Sequence, residues 1–353
     1  MANRMDAPRK ERILVLDGLR GLAIMLVLLF HGYYIWFEYY PYKKLYGENI
    51  LFKYGSLGVQ LFFLISGFVI LMSVERTDKF WKFLKNRWIR LFPSMLICSL
   101  IVYCTAHFFY ERPFGIPPLK SILPGITFIN NSILEKIFHT DFPVLELSFW
   151  SLFVEVKFYV IFGVLYFLFN RNIALGGIFL IYLSALALQL LCLGGVIHET
   201  SWIKIYIGSF IHFGWFAAGA LTYIYFYNRE KKYLRMLVFT TICSLLYLVK
   251  FQDAVMLVYL VVLCLVFYFA LFWKRFGAIF STRFFKFVGY ISYPLYLLHE
   301  NMLVALIIKL HHHFAELPYF LLPVLSFIFI AGIASIVAYF IEPAFQRGLK
   351  KII

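Results

Sequence analysis

Charged residues are scarce in this sequence and make up only 14% of its 353 positions. Soluble domains carry about 25% charged and about 45–50% apolar residues, whereas 63% of this chain is hydrophobic. Acidic side chains are the scarcest, with 18 Asp and Glu against 33 Lys and Arg. This composition excludes an ordinary soluble protein and indicates an integral membrane protein.

Cysteine is also rare, and its placement excludes the usual metal motifs. The cysteines lie within or at the ends of apolar segments, and no CxxC or Cys/His spacing occurs. We interpret them as small packing residues and expect no metal site. They are Cys98, Cys104, Cys192, Cys243 and Cys264.

Long hydrophobic runs, in contrast, are plentiful. Ten segments approach the ~18–20 apolar residues that a membrane-spanning helix needs. The runs are continuous rather than alternating, which favours an all-α helical bundle over a β-barrel. No linker or shift in composition divides the chain, so we predict one domain over residues 1–353. The predicted spans are 13–35, 56–74, 93–110, 149–169, 173–192, 204–227, 236–250, 254–272, 287–310 and 319–341.

The net charge of +15 is distributed in a way that does not favour a nucleic-acid partner. With the amino terminus inside, the predicted cytoplasmic segments hold 22 Lys and Arg, and the outward segments hold 6. This bias is typical of loops that face anionic lipids in the cytoplasm. We therefore expect a multi-pass protein of the inner (plasma) membrane with both termini cytoplasmic.

The terminal and loop segments carry two further predictions. We interpret 1–12 as a basic segment before a retained helix, because no small-residue cleavage site follows. The longest connection, 111–148, contains five prolines and is expected to pack over the outer mouth of the bundle.

The first span carries Asp17, Arg20 and His31. An ionisable side chain at membrane depth costs about 2.5 kcal/mol or more. Arg20 and His31 are eleven residues apart, which puts them on one helix face and roughly 17 Å apart along the axis. Pairing of Arg20 with Asp17 at the inner surface is a structural alternative, but it does not account for His31. We predict that His31 serves acid–base chemistry or a proton path.

The fourth span contributes Glu155, about one and a half turns from its start. Buried carboxylates seldom persist without a partner, and Lys157 lies on a different face. We expect Glu155 to pair with His31, either in catalysis or in a structural salt bridge.

Two arginines occur in the segment LKNRWIRLFPSM, just before Pro93, where we expect the third span to begin. Arg87 and Arg90 are three residues apart. Two guanidinium groups on one helical face can bind a phosphate or diphosphate bidentately. For an isolated RxxR, an anchor at the inner membrane surface is the alternative.

Polar residues at helical spacing also occur in two other spans. Ser292, Tyr296 and His299 share one face of the ninth span, where they form either a hydrogen-bond network or part of a catalytic site. Ser66 and Gly67 are small residues of the second span that favour close helix packing.

Taken together, these segments resemble the acyltransferase-3 family of integral membrane acyltransferases. The matching text is LDGLRGLAI with His31 eleven residues after Arg20, then GVQLFFLISGFVI, RWIRLFP, FWSLFVEVKFYV, GYISYPLYLLH and the Glu342-Pro343 pair. The resemblance implies a bundle of about ten transmembrane helices. It also implies transfer of an acyl group, usually acetyl, from cytoplasmic acyl-CoA to a hydroxyl group. The acceptor would be a sugar of a surface polysaccharide or lipid-linked glycan, or another small molecule.

The resemblance implies that Arg20, His31, Arg87 and Arg90 are needed for function, and together with the chemistry of these residues it leads to an expected role for each. Arg20, Arg87 and Arg90 would bind acetyl-CoA, and His31 would act as the general base on the acceptor hydroxyl, oriented by Glu155. Direct transfer and an acyl-histidine relay both stay open. Candidates for substrate contact or stabilisation of the oxyanion are Ser66, Trp150, Ser292, Tyr296 and His299.

Two features depart from the family pattern. Lys157 follows Glu155 where we expect an uncharged polar residue. The soluble hydrolase-like domain of many relatives has no counterpart, so we expect the bundle or a separate protein to handle the acceptor. A transporter or flippase with an Arg/Glu/His path, and a structural export scaffold, are the alternative classes.

Overall fold

The computed structural model describes residues 13–352, and every regular element within that range is helical. The predicted basic segment 1–12 lies outside the described residues. The α-helices are α1 (Leu14–Phe30), α2 (Ile50–Lys53), α3 (Gly58–Glu75), α4 (Phe80–Thr105), α5 (Leu123–Thr127), α6 (Asn131–Phe138), α7 (Trp150–Leu168), α8 (Arg171–Leu193), α9 (Ser201–Phe210), α10 (Phe213–Asn228), α11 (Lys231–Leu245), α12 (Ala254–Phe272), α13 (Lys274–Phe280), α14 (Arg283–His313), α15 (Leu321–Ile336) and α16 (Glu342–Ile352). Short 3₁₀ and π segments are Gly55–Leu57, Leu119–Ile122, Leu147–Phe149 and Leu246–Phe251 (3₁₀), and His31–Ile35 and Val337–Ile341 (π).

Nine helical segments of the described chain are long and apolar enough to cross a membrane. They correspond in order to nine of the ten predicted spans and confirm the all-α membrane class. They are Leu14–Ile35, Gly55–Glu75, Phe80–Thr105, Leu147–Leu168, Arg171–Leu193, Ser201–Asn228, Ala254–Phe272, Arg283–His313 and Leu321–Lys351.

The seventh predicted span, 236–250, is not among these nine; this part of the chain forms α11, with 15 residues, and a 3₁₀ segment that follows it. The chain still travels the length of the bundle here. Just before α11, the guanidinium of Arg229 lies 4.8 Å from the ring centre of Phe272 at the end of α12. Just before the start of α12, Asp253 accepts a 2.6 Å hydrogen bond from Tyr54, next to the start of α3. A tenth crossing therefore exists without a long apolar helix.

The crossings create two ends of the bundle, which we name by their contents. The termini side holds both ends of the described chain, since Ile13 and Lys350 line one cavity. The loop side holds the two long connections, which meet where the rings of Trp36 and Phe114 are 5.6 Å apart. The backbone N–H of Phe114 donates to Oδ1 of Asn301 at 3.4 Å. The proline-rich connection therefore packs over the end of the bundle, as predicted.

Glycine residues allow several helices of the bundle to pack with their backbones in direct contact. A Cβ added at Gly289 of α14 would lie 1.7 Å from the carbonyl oxygen of Asp17 on α1. A Cβ at Gly67 of α3 would lie 2.0 Å from the carbonyl oxygen of Phe216 on α10. The packing role predicted for Gly67 is confirmed, and these contacts hold α14 against α1 and α3 against α10.

The expected start of the third span at Pro93 is wrong. Helix α4 begins thirteen residues earlier, at Phe80, and Pro93 lies inside it. Proline is tolerated inside membrane helices because neighbouring groups satisfy the carbonyl that it frees. As a consequence, Arg87 and Arg90 are part of the long helix itself rather than of a preceding loop.

Candidate active site

A cavity enters the bundle from the termini side in two parts. The outer part, which we call the vestibule, has a volume of about 660 Å³ and is lined by five cationic and two acidic side chains. The inner cavity has a volume of about 110 Å³ and lies between α3, α4, α7 and α14. Residues common to both walls are Arg20, Val69, Arg87, Arg90, Gly289, Tyr290 and Tyr293.

The three predicted arginines converge where the vestibule meets the inner cavity. Arg20 comes from α1 and lies 3.4 Å from Asp17, while Arg87 and Arg90 come from successive turns of α4. Nη2 of Arg87 donates to Oγ of Ser73 at 2.8 Å, but its buried Nε has no partner among the described residues. This junction therefore retains hydrogen-bonding capacity for an anionic ligand.

Glu155 faces these arginines across the inner cavity. It accepts hydrogen bonds from the hydroxyl of Tyr159, at 2.5 Å, and from that of Ser66. Its charge acts on both Arg20 and Arg87. The carboxylate therefore belongs to the arginine end of the cavity.

The expected pair of Glu155 with His31 does not form. Within the described chain, the carboxylate beside His31 is that of Glu300, whose Oε1 is 3.8 Å from Nε2 of His31. The face of α7 that carries Glu155 also carries Ser151 and turns towards the inner cavity. Counting residues from the end of each span misplaced the pair, because such a count does not give the relative heights and rotations of the helices.

His31 lies at the loop-side end of α1, in the π-helical turn His31–Ile35. Its Nδ1 is 2.9 Å from the carbonyl oxygen of Val27 and 3.3 Å from Nε2 of His299. His31 lines neither the vestibule nor the inner cavity. Tyr296 lies between the inner cavity and the two histidines. It lines the inner cavity, and its ring centre is 5.3 Å from that of His299.

The hydrogen-bond partners assign the tautomers of both neutral imidazoles. A carbonyl oxygen can only accept, so Nδ1 of His31 carries a proton towards Val27, and Nδ1 of His299 carries one towards Tyr296. Nε2 of His299 is then an acceptor, and it shares the single Nδ1 proton of His31 with the carbonyl oxygen of Val27. The remaining lone pair, on Nε2 of His31, points to the side of Glu300 and is available to accept a proton.

A buried polar network missed in the sequence holds Glu300 in place. Its Oε2 accepts the backbone N–H of Ser148 at 2.7 Å. Glu146 accepts the backbone N–H of Asn301 at 3.1 Å and lies 3.9 Å from Arg112. Burial and the nearby charge of Glu300 raise the pKa of Glu146 to about 8. The sequence contained a signal for this role, because Glu300 is an acidic residue within an apolar span and directly follows His299.

The hydroxyl groups that the sequence suggested for substrate or oxyanion contact all donate hydrogen bonds within the protein. Tyr296 donates to the carbonyl oxygen of Ser148 at 3.0 Å, Ser292 donates to that of Gly289 at 2.8 Å, and Ser66 donates to Glu155. These three line the inner cavity but present no uncommitted O–H donor to it. Trp150 is on the opposite face of α7 and lines a different cavity.

The fold and this site define a multi-pass α-helical membrane protein with a cationic cavity inside the bundle. Among residues 13–352, no three His, Cys, Asp or Glu side chains cluster as metal ligands would. A family model described as an acyltransferase domain matches residues 13–342. The chain therefore belongs to the acyltransferase-3 family, which confirms the resemblance found in its sequence.

Several named proteins are similar to part of this chain. An O-acetyl transferase of Shigella phage Sf6 is 29% identical over 152 residues, which cover 42% of this chain and 44% of the relative. A protein of Staphylococcus aureus (strain COL), provisionally named an O-acetyltransferase, is 29% identical over 160 residues, or 42% of this chain and 24% of its own length. Acyltransferase MdmB of Streptomyces mycarofaciens is 27% identical over 165 residues, or 45% and 40%. The matches span less than half of each relative, and no solved structure matches the chain at a significant level.

Proposed function

We propose that this protein is a membrane O-acyltransferase. In this proposal it moves an acyl group, most simply acetyl, from acyl-CoA to a hydroxyl group of a sugar acceptor. The carrying observation is that arginines cluster at the mouth of a cavity whose wall includes Tyr296, and that Tyr296 packs against His299 of the His31–His299 pair. Family membership and the names of the relatives support the same class of reaction.

The vestibule and its arginines suit acyl-CoA as the donor. Guanidinium groups bind phosphate and diphosphate bidentately, and Arg87 and Arg90 would hold these groups with Arg20. The unpartnered Nε of Arg87 is a donor that the protein does not itself use. The vestibule has a volume of about 660 Å³, whereas the inner cavity beyond the arginines has about 110 Å³. The smaller volume suits the extended arm of acyl-CoA that carries the acyl group. When bound, acyl-CoA would supply the acyl group as a thioester.

His31 is the proposed general base. Its Nε2 lone pair would take the proton of the acceptor hydroxyl as the oxygen forms its bond to the acyl carbon. The carboxylate of Glu300 would stabilise the resulting imidazolium from 3.8 Å. His31 would then return the proton to the sulfur as the carbon–sulfur bond breaks. In this scheme Glu155 belongs to the arginine end of the cavity, where the hydroxyl groups of Ser66 and Tyr159 donate hydrogen bonds to its carboxylate.

The two ends of the bundle receive separate substrates in this proposal. We place the termini side in the cytoplasm, because the connections on that side carry most of the Lys and Arg residues. The acceptor, a sugar of a surface polysaccharide or of a lipid-linked glycan, would approach His31 from the loop side. This arrangement would carry the acyl group across the membrane along the cavity.

The test is turnover of acetyl-CoA by the purified protein in detergent with a sugar acceptor. His31→Ala should lower turnover by at least about 100-fold, because general-base catalysis is worth about that much. Gel filtration and thermal melting should show that the variant folds. His313→Ala, in the last turn of α14, is the matched control and should retain full turnover.

Two results would contradict the proposal. Full turnover by His31→Ala would exclude its role as the base. Absence of any acetyl-CoA turnover in the folded wild-type protein, together with solute movement across vesicles, would favour a transporter instead.

A further inference from the structure

Helix α7 separates two cavities and carries opposite charges towards them. Glu155 and Tyr159 face the inner cavity, whereas Trp150, Phe153 and Lys157 face a second cavity of about 540 Å³. Residues two positions apart on a helix point about 200° apart, which accounts for the separation of Glu155 from Lys157. We call the second cavity the lateral cavity. It lies on the loop side, between α6, α7 and α9.

Lys157 is the unusual residue of the lateral cavity. It lies seven residues into α7, roughly 10 Å below the helix start, within a membrane-spanning segment. Its ammonium donates to the neutral Oγ of Ser209 at 2.6 Å. Within residues 13–352 no carboxylate forms an ion pair with it. A cation at this depth costs about 2.5 kcal/mol or more. The simplest reason for a lysine at this position is that it binds an anion from outside the described chain.

Two further lysines in the lining of the lateral cavity add positive charge. Lys136 and Lys204 line it, and Nζ of Lys136 lies 3.7 Å from the ring centre of Trp202. Glu135 is the acidic residue of this wall, and it accepts the backbone N–H of Phe142 at 3.3 Å. Cations therefore outnumber carboxylates by three to one in the lining.

The remaining wall is apolar or open. Phe153 and Val154 of α7 and Ile205 of α9 supply apolar side chains to the lining of the cavity. Gly208 lines it as well, and a Cβ added there would meet no atom within 4 Å. An apolar wall beside three cations matches a ligand that has both a charged head and an apolar chain.

We propose that the lateral cavity binds a phosphate-bearing amphiphile, with the phosphate at Lys157 and the apolar chain against α7 and α9. Lys136 and Lys204 would contact the same phosphate or a second anionic group. A membrane lipid and a lipid-linked glycan share this chemistry, and we commit to a lipid as the occupant. The site does not depend on the proposed transfer reaction.

The experiment is native mass spectrometry of the delipidated, detergent-solubilised protein. The probes are dioleoyl phosphatidic acid and dioleoylglycerol, which differ only in the phosphate, and inorganic phosphate alone. We expect phosphatidic acid to bind in preference to dioleoylglycerol. Lys157→Gln should weaken phosphatidic acid binding by about tenfold, the usual value of one hydrogen bond to a charged group.

Matched variants separate the site from general charge effects. Lys157→Arg should retain binding, and Gly208→Leu should block it while leaving Lys157 in place. Lys309→Gln removes a loop-side cation that already pairs with Glu111 at 2.9 Å, and should not change binding. Thermal melting should show that all four variants fold.

The outcomes decide between the ligand sources. Equal binding of phosphatidic acid by wild type and Lys157→Gln would overturn the proposal. Binding of inorganic phosphate as tight as that of phosphatidic acid, and dependent on Lys157, would overturn the lipid assignment. Weaker phosphatidic acid binding in Lys157→Gln and blocked binding in Gly208→Leu, with no binding of phosphate alone, is the expected result.

Discussion

Nε2 of His31 lies 3.8 Å from Oε1 of Glu300, beyond hydrogen-bond distance but close enough for charge stabilisation. Both atoms are hydrogen-bond acceptors when the imidazole is neutral and the carboxyl is ionised. The side chain of Glu300 is only 1% exposed and is held by the backbone N–H of Ser148. A hydroxyl group that enters beside His31 would therefore meet a base that is already oriented.

Glu300 and Glu155 should differ in their kinetic effects. Glu300→Gln is expected to lower kcat by about 10- to 100-fold without changing the donor KM, because it removes stabilisation of the His31 imidazolium. Glu155→Gln should instead lower the donor KM, because it removes a negative charge that competes with the donor phosphates for Arg20 and Arg87. Steady-state kinetics of acetyl-CoA turnover distinguishes the two. If Glu155→Gln lowered kcat and Glu300→Gln changed the donor KM, the results would instead support the role of Glu155 beside His31 that the sequence suggested.

The paired arginines should set donor affinity. Replacing Arg87 and Arg90 with Ala is expected to raise the donor KM by about tenfold or more and the acceptor KM far less, because charged hydrogen bonds to phosphate are lost. The measurement is turnover at varied acetyl-CoA and at varied acceptor. Lys82→Ala, on the same helix but exposed and paired with Asp78, is the control. Equal effects on both substrates would count against donor binding at the arginines.

The buried network at Glu146 predicts a pH-dependent stability. Its folded-state pKa is raised from 4.5 to about 8, chiefly by burial. The folded protein therefore binds more protons than the unfolded chain between these values, and stability decreases as pH rises through this window. Thermal melting between pH 5 and pH 8 should show this decrease.

Two glutamine variants isolate the contribution of Glu146. Glu146→Gln should flatten the decrease by roughly 1–3 kcal/mol, because the amide cannot ionise. Glu48→Gln, at an exposed loop position, should leave the slope unchanged. A steeper slope in Glu146→Gln than in wild type would show that the carboxyl is ionised in the folded protein, with Arg112 as its partner.

The backbone contact between α1 and α14 should tolerate no side chain. Gly289→Ala is expected to destabilise the protein by about 1–3 kcal/mol, because the new Cβ would overlap the carbonyl oxygen of Asp17. Gly332→Ala is the matched control on α15, where a Cβ meets no atom within 4 Å. It should leave the melting temperature unchanged or raise it slightly. Equal melting temperatures for the two variants would contradict this packing.

Local chemistry was predictable from the order of residues. Charged groups are expensive in a membrane, so Arg20, His31 and Glu155 stand out in apolar runs without any structure. Hydrophobic length likewise predicted ten crossings, and nine of them are long apolar helices among the described residues. The remaining one, predicted at 236–250, contains α11, and the residues that flank it, Arg229 and Asp253, contact Phe272 and Tyr54.

Partners between helices were not predictable in this way. Residue spacing places Arg20 and His31 on one face, but it does not give the heights and rotations of α1, α7 and α14 relative to one another. The sequence by itself determined the membrane class, the family and the ionisable groups, because these depend on composition and local order. The tertiary structure decided that Glu300 rather than Glu155 lies beside His31, because backbone contacts such as Gly289 against Asp17 set how the helices pack.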